Sequence, residues 1–144
     1  MLAQRTTLKI GGPARAVARC RDRDAVAACL GALGERGLPW LVLGMGGNVL
    51  VPDEGIDALV LVLEGELSRI ERHGARFVAG GGLPLAKLVR ETIDAGLTGL
   101  ECLGGIPSTV GGALAGNAGA YGQEALDVLS WAEVVEGDGT VLRL

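Results

Sequence analysis

The amino-acid sequence predicts an α+β fold divided into two α/β lobes, residues 1–63 and 64–144. Three observations predict it. Segments that alternate apolar and polar residues, or run apolar for four positions, are interleaved with two segments of helical period. Glycine supplies 25 of the 144 residues, well above its usual share of ~7%, and the glycines gather at the ends of the apolar segments in several separate groups. No linker or internal repeat interrupts the chain, whose length suffices to bury roughly 68–70% of the surface an unfolded chain exposes.

The elements follow in order. Residues 14–20 alternate and read as a strand. Asp22 caps a helix that runs through Ala25, Val26, Cys29, Leu30 and Leu33, with Gly37 as its stop. Pro39 leads into Trp40-Leu41-Val42-Leu43, a short apolar run expected to be a buried strand. After a glycine loop at 44–48, Val49-Leu50-Val51 and Leu59-Val60-Leu61-Val62 read as strands around a turn at 52–55. Residues 67–72 and 75–79 alternate about His73-Gly74 and predict a hairpin. Gly80-Gly81-Gly82 introduces a helix over 84–95. Its expected apolar face is Leu85, Leu88, Val89 and Ile93, and Gly96 ends it. The glycine-rich stretch 104–122 holds a short helix after Pro107. A strand over 132–136, a turn at Gly137-Asp138-Gly139 and a strand from Thr140 onward close the sequence. Its last residues, Val141-Leu142-Arg143-Leu144, read as a strand cut before its connection.

Composition excludes several classes of function. The net charge is -4, and no basic stripe is present to meet nucleic acid or an anionic membrane. No stretch approaches the ~20 apolar residues of a membrane span. Residues 1–9 lack the apolar segment of a secretory signal. Cys20, Cys29 and Cys102 are scattered without CxxC spacing, as expected for buried free thiols in a reducing cytosol, so a cytoplasmic location is expected. His73 is the sole histidine, so no metal site is expected. The mean hydropathy of +0.38 has two explanations: a tight Ala/Val/Leu core, or apolar surface that meets a partner.

The glycine loops are the candidate site. Gly44-Met45-Gly46-Gly47-Asn48 follows a strand. Successive N–H groups of such a loop can converge on an anion, and Asn48 can add its amide. The next segment is another strand, so this is no dinucleotide fingerprint of the strand–loop–helix kind, and a plain turn also explains it. Gly80-Gly81-Gly82 does lie between strand and helix, where simple punctuation is the competing explanation. Ile106-Pro107-Ser108-Thr109-Val110-Gly111-Gly112-Ala113 is more specific: Pro107 suits a first helical turn, and Thr109, Gly111 and Gly112 expose a hydroxyl and backbone donors. In Asn117-Ala118-Gly119-Ala120-Tyr121-Gly122, a tyrosine among small residues can flank a flat ring. Together the loops suit a large ligand with phosphates and an aromatic system, such as FAD.

At these loops the chain resembles the UDP-N-acetylenolpyruvoylglucosamine reductases. Thr6-Thr7-Leu8-Lys9-Ile10-Gly11-Gly12-Pro13-Ala14 looks like that family's opening segment. Residues 44–50, ending in Val49 and Leu50, are similar to its GxGSNxL pattern. Residues 106–113 are similar to IPGxxGGA, and 117–122 to NxGAYG with Glu124 following. The resemblance implies a two-lobed FAD-binding domain of the vanillyl-alcohol-oxidase type (the PCMH fold), with noncovalent FAD extended between the lobes. By carry-over, residues 44–50 hold the pyrophosphate, while Gly81, residues 106–112 and the segment Asn117, Ala118, Gly119 and Tyr121 line the cofactor. It further implies NADPH as reductant and conversion of UDP-N-acetylglucosamine enolpyruvate to UDP-N-acetylmuramate in peptidoglycan precursor synthesis. The family's proton-donating serine, catalytic glutamate and catalytic arginine match no residue here, so no catalytic residue is assigned and the chain alone is expected to be inactive.

Two positions depart from the pattern: Gly47 replaces serine, and Ser108 replaces glycine where positive φ is in question. Ser68 and Ser130 read as surface or turn hydroxyls. His73 lies in a polar hairpin and is expected to be solvated, without a covalent flavin link. Glu101 and Glu124 sit beside the motifs and either cap backbone or bind arginine. Arg5 and Lys9 either approach phosphate or solubilise, and Trp40 and Trp131 read as core or interlobe packing. Two other functions remain open from sequence: another flavin oxidase of this fold, and a noncatalytic flavin- or nucleotide-binding module.

Overall fold

A computed structural model describes all residues, Met1–Leu144. Its first half is built on β1 (Ala14–Cys20), α1 (Arg23–Glu35), β2 (Trp40–Val42) and β3 (Ile56–Leu63). Strand β3 lies between β1 and β2 and runs parallel to both. Its sequence IDALVLVL is nearly continuous in apolar residues, as a parallel strand covered on both faces requires. Successive side chains of a strand point to opposite faces. Leu61 accordingly joins Cys20, Val26, Leu30 and Leu33 under α1. Its neighbour Val60 joins Leu2, Leu43 and Val51 on the other side.

Helix α1 forms where its caps dictate. The Asp22 carboxylate accepts a hydrogen bond from the Ala25 N–H at 2.7 Å. Past its end Gly37 takes φ +60°, which glycine adopts without strain. Burial raises the Cys20 thiol above its ordinary pKa, and the neighbouring Cys29 adds to the effect.

The second half contains a 3-10 turn at Gly65–Ser68, the antiparallel hairpin of β4 (Ile70–His73) and β5 (Arg76–Ala79), and α2 (Leu85–Asp94). Beyond a 3-10 turn at Glu101–Gly105 come α3 (Val110–Ala115), a small hairpin of β6 (Gly119–Ala120) and β7 (Gln123–Glu124), and the hairpin of β8 (Glu133–Val135) and β9 (Val141–Arg143). Its core is Leu85, Val89, Leu103, Ala113 and Ala125, with Leu83, Leu88 and Val110 in an adjoining cluster. The β8–β9 hairpin returns to the first half. A Cβ at Gly34 of α1 would stand 2.8 Å from the Gly137 carbonyl oxygen, and Val135 packs on the core beneath α1.

Four expectations are corrected. The segment 40–43 is buried only at its end: β2 is an edge strand with Trp40 and Val42 40% and 41% exposed, while Leu43 just past it is 1% exposed. Residues 49–51 form no strand and pair with no sheet. Val51 is instead a core residue and Leu50 is exposed. On α2 the buried arc is Leu85, Leu88, Val89 and Thr92, while Ile93 is 50% exposed. The i, i+3, i+4, i+7 spacing selects position 92, and the Thr92 hydroxyl is accommodated by donating to the Val89 carbonyl at 2.8 Å. Trp131 is not a core residue: it is exposed, with the Arg143 guanidinium over its ring at 4.2 Å, whereas Trp40, though exposed, meets Gly137 of the second half as the interlobe alternative expected.

Two substitutions test this packing. Leu61→Ala removes a fully buried side chain from the central strand and is expected to lose about 2–5 kcal/mol in chemical denaturation. Ile93→Ala is expected to stay within about 0.5 kcal/mol. Equal losses would contradict the orientation of α2.

Candidate cofactor site

Three of the glycine loops, 44–48, 80–82 and 106–113, converge at the carboxyl ends of β2 and β3, where open parallel sheets place their ligands. Leu43 anchors the first loop by donating its N–H to the Leu61 carbonyl at 2.9 Å. The chain then passes through Gly44-Met45-Gly46-Gly47-Asn48. A Cβ at Gly44 would meet the Thr109 hydroxyl oxygen at 2.6 Å, one at Gly46 the Arg5 carbonyl at 2.5 Å, and one at Gly47 the Pro107 carbonyl at 2.5 Å. Gly46 also takes φ +66°. The loop is thus held between residues 5–7 on one side and 107–109 on the other.

The second and third loops are joined by backbone. Gly111 N–H donates to the Gly81 carbonyl and Val110 N–H to the Leu83 carbonyl, both at 2.8 Å, and Leu85 N–H donates to the Ser108 carbonyl at 2.9 Å. Gly82 lies against the Leu63 backbone at the end of β3, with no room for a side chain. Thr109 caps α3, its hydroxyl accepting from the Gly112 N–H at 3.2 Å.

One observation gives the site its chemistry. None of the N–H groups of Gly44, Met45, Gly46, Gly47 and Asn48 donates to an acceptor within the chain. Five successive free donors at a glycine loop form a concavity suited to an anion. The Asn48 side chain is exposed beside them.

The other expected site residues are placed more variously. Met45 and Leu50 are exposed. Val49 packs against the first-half core and Ile106 against the second. Val110 is buried among Leu83 and Leu88. Residues 117–121 stand at the opposite end of α3, one six-residue helix or about 9 Å from Thr109. There the Asn117 amide donates to Glu124 at 2.6 Å and its oxygen accepts from the Leu126 N–H at 3.2 Å, so it fixes the β6–β7 hairpin. Ala118 packs on the core beside it. Tyr121 projects from the hairpin turn 96% exposed and borders, with Gly119, Gln123 and Asp127, a concavity of about 540 Å³.

The carboxylates are structural. Glu101 accepts from the Gly99 N–H at 2.7 Å; its own N–H first, then that of Gly99, holds the carboxyl below its ordinary pKa. Glu124 and Asp127 form a reciprocal cap. His73 lies exposed on its hairpin, 3.7 Å from Glu71. The two departures from the family pattern are neighbours in space. Gly47 has no room for a Cβ because Pro107 is there. Ser108 does not adopt positive φ, and its hydroxyl donates to the Thr109 carbonyl at 2.9 Å. Sequence reasoning missed the contact of residues 5–7 with the first loop, which joins positions 38 apart in the Thr7–Met45 pair; no local pattern signals so distant a contact.

A family model for an FAD binding domain matches residues 14–144, and the chain belongs to that family. Within it, the resemblance to UDP-N-acetylenolpyruvoylglucosamine reductases extends over nearly the whole chain. That of Heliobacterium modesticaldum is 40% identical over 142 residues, covering 99% of this chain and 45% of the relative. Reductase 2 of Symbiobacterium thermophilum is 43% identical over 143 residues, covering 99% and 46%. The crystal structure of the Thermus caldophilus reductase superposes with a TM-score of 0.83 at 37% identity, covering 100% of this chain and 50% of that one. A 6-hydroxy-D-nicotine oxidase from Arthrobacter nicotinovorans superposes at 0.70 with 26% identity over 89% of this chain and 29% of that one. The expected FAD-binding fold of the vanillyl-alcohol-oxidase type is borne out, and the reductase resemblance is favoured over the oxidase alternative. The chain spans a little under half the length of the curated relatives it matches.

The packing of the first loop gives a test. Gly46→Val is strained at φ +66° and directs its Cβ at the Arg5 carbonyl, so FAD affinity is expected to fall on the order of tenfold or more. Gly47→Ser restores the residue usual in the family pattern but directs its Cβ at Pro107. It is expected to destabilise the chain by about 1–3 kcal/mol without tightening FAD. Thermal unfolding and FAD titration read both outcomes; a Gly47→Ser chain of undiminished stability would contradict the close approach.

Proposed function

We propose that this chain is the FAD-holding portion of a reductase that converts UDP-N-acetylglucosamine enolpyruvate to UDP-N-acetylmuramate with NADPH, in peptidoglycan precursor synthesis. The observation that carries the proposal is the row of free N–H groups at residues 44–48, in an FAD-binding chain with reductase relatives at about 40% identity.

The N–H groups of the loop donate to the pyrophosphate oxygens of FAD, and Asn48 adds its amide. Such charge-assisted bonds are roughly twice as strong as neutral ones. The missing Cβ atoms allow the backbone to reach the phosphate. Gly81, residues 106–112 and the segment 117–121 line the flavin side, where the exposed ring of Tyr121 offers a flat face. The cofactor, when bound, supplies the hydride chemistry; the chain supplies binding, orientation and electrostatics. The lobes 1–63 and 64–144 flank it. The free thiols Cys20, Cys29 and Cys102 support a reducing, cytoplasmic setting.

Two experiments test the reading. Acid precipitation is expected to release FAD into the supernatant, because His73, the sole histidine, lies on an exposed hairpin outside the glycine loops; flavin retained in the pellet would refute noncovalent binding. The 144-residue chain is also expected to show no substrate-dependent NADPH oxidation. The family's catalytic serine, glutamate and arginine match none of its residues, and a positioned acid alone is typically worth ~10²–10⁴-fold. Turnover near an ordinary ~10 s⁻¹ would mean that the catalytic groups lie within these residues.

A further inference from the structure

The FAD-binding family model begins at residue 14, yet residues 1–13 form a strap tied to the first glycine loop at both ends and at its middle. Leu2, fully buried, packs with Leu43 just before the loop and with Val51 just after it. The Leu2 N–H donates to the Gly12 carbonyl at 2.8 Å and the Ala3 N–H to the Gly11 carbonyl at 3.0 Å. Gly12 N–H in turn donates to the Pro52 carbonyl at 2.9 Å. Between these anchors the buried Thr6 closes the strap's own turn, its hydroxyl donating to the Ile10 carbonyl at 2.8 Å. Thr7 then reaches the loop: its N–H donates to the Gly46 carbonyl at 3.1 Å and its hydroxyl to the Met45 carbonyl at 3.3 Å.

Both contacts fall on carbonyl oxygens, and this determines where the loop's donors point. A trans peptide is planar, with its C=O and N–H directed oppositely. The Met45 carbonyl shares its plane with the Gly46 N–H, and the Gly46 carbonyl shares its plane with the Gly47 N–H. Holding the two oxygens toward Thr7 turns these two N–H groups away from the strap. Both are among the donors without an acceptor in the chain.

We propose that Thr7 is a positioning residue for the cofactor's pyrophosphate: through the carbonyls of Met45 and Gly46 it aims the N–H groups of Gly46 and Gly47 at the phosphate oxygens. The proposal rests on the assignment of the 44–48 loop to the pyrophosphate. It separates Thr7 from a merely structural residue, because only ligands that carry phosphate should sense its hydroxyl.

The test compares FAD with riboflavin, which has the isoalloxazine ring and no phosphate, on the full 144-residue chain. Thr7 is exposed, so Thr7→Val keeps the backbone bond and the side-chain shape while removing the hydroxyl. FAD affinity is expected to fall about two- to tenfold, the value of one hydrogen bond. Riboflavin affinity and the melting temperature should stay unchanged, and Thr7→Ser should restore FAD binding. Unchanged FAD affinity in Thr7→Val, or equal weakening of both ligands, would overturn the role given to Thr7. A wild-type chain that binds FAD no more tightly than riboflavin would instead overturn the pyrophosphate assignment itself, and the Thr7 proposal with it.

Discussion

Strand β3 carries the structure because both its edges and both its faces are occupied. β1 and β2 bond its edges, and the adjacent residues Val60 and Leu61 are each 0% exposed, in different cores. A strand so enclosed is fixed in register and height, since a one-residue slip would exchange its two faces. Its carboxyl end at Leu63 thereby becomes a fixed point, and Gly82 approaches that point at backbone contact. The first glycine loop is fixed in the same way, through the Leu43–Leu61 hydrogen bond. The candidate site is the place where these two ends of the sheet leave backbone exposed.

The close approaches there are mutual. Gly44 faces Thr109, Gly47 faces Pro107, and Gly111 faces Gly81. Gly44 leaves room for the Thr109 side chain, and at the other two approaches backbone meets backbone and side chains are excluded, so recognition falls to N–H groups. A candidate site of this kind can be assembled with few charged side chains. It also links two unusual residues. Gly47 lacks a hydroxyl where the family pattern has one, and Ser108 has one where the pattern does not. Gly47 meets Pro107, and Ser108 is the residue next to Pro107 in the chain.

Much of this was legible in the sequence. Asp22, Gly37 and Gly96 marked helix ends through local capping chemistry, and the hairpins followed from alternation around glycine turns. The glycine motifs marked the segments 44–48, 80–82 and 106–113, which the fold brings together. The errors share a cause, namely that burial depends on neighbours distant in the chain. Trp40 to Val42 read as buried because the run is apolar, but nothing local distinguishes an edge strand from a central one. Ile93 was preferred to Thr92 on hydrophobicity, although helical spacing favours 92 once its hydroxyl finds the Val89 carbonyl. The strap contact at Thr7 and the pairing of Gly81 with Gly111 were invisible for the same reason.

The return of the β8–β9 hairpin to α1 has a consequence for how the chain reaches this state. Val135 completes a core otherwise formed by residues between Cys20 and Leu67, and Gly139 packs against the Ala27 backbone. Contacts between such distant positions close slowly, because the entropy of joining the ends is lost before the contact rewards it. During synthesis, at ~5–20 residues per second, the face of α1 that carries Gly31 and Gly34 leaves the ribosome several seconds before its cover. The first half therefore emerges with an apolar seam open, and the β8–β9 hairpin acts as the latch that closes it.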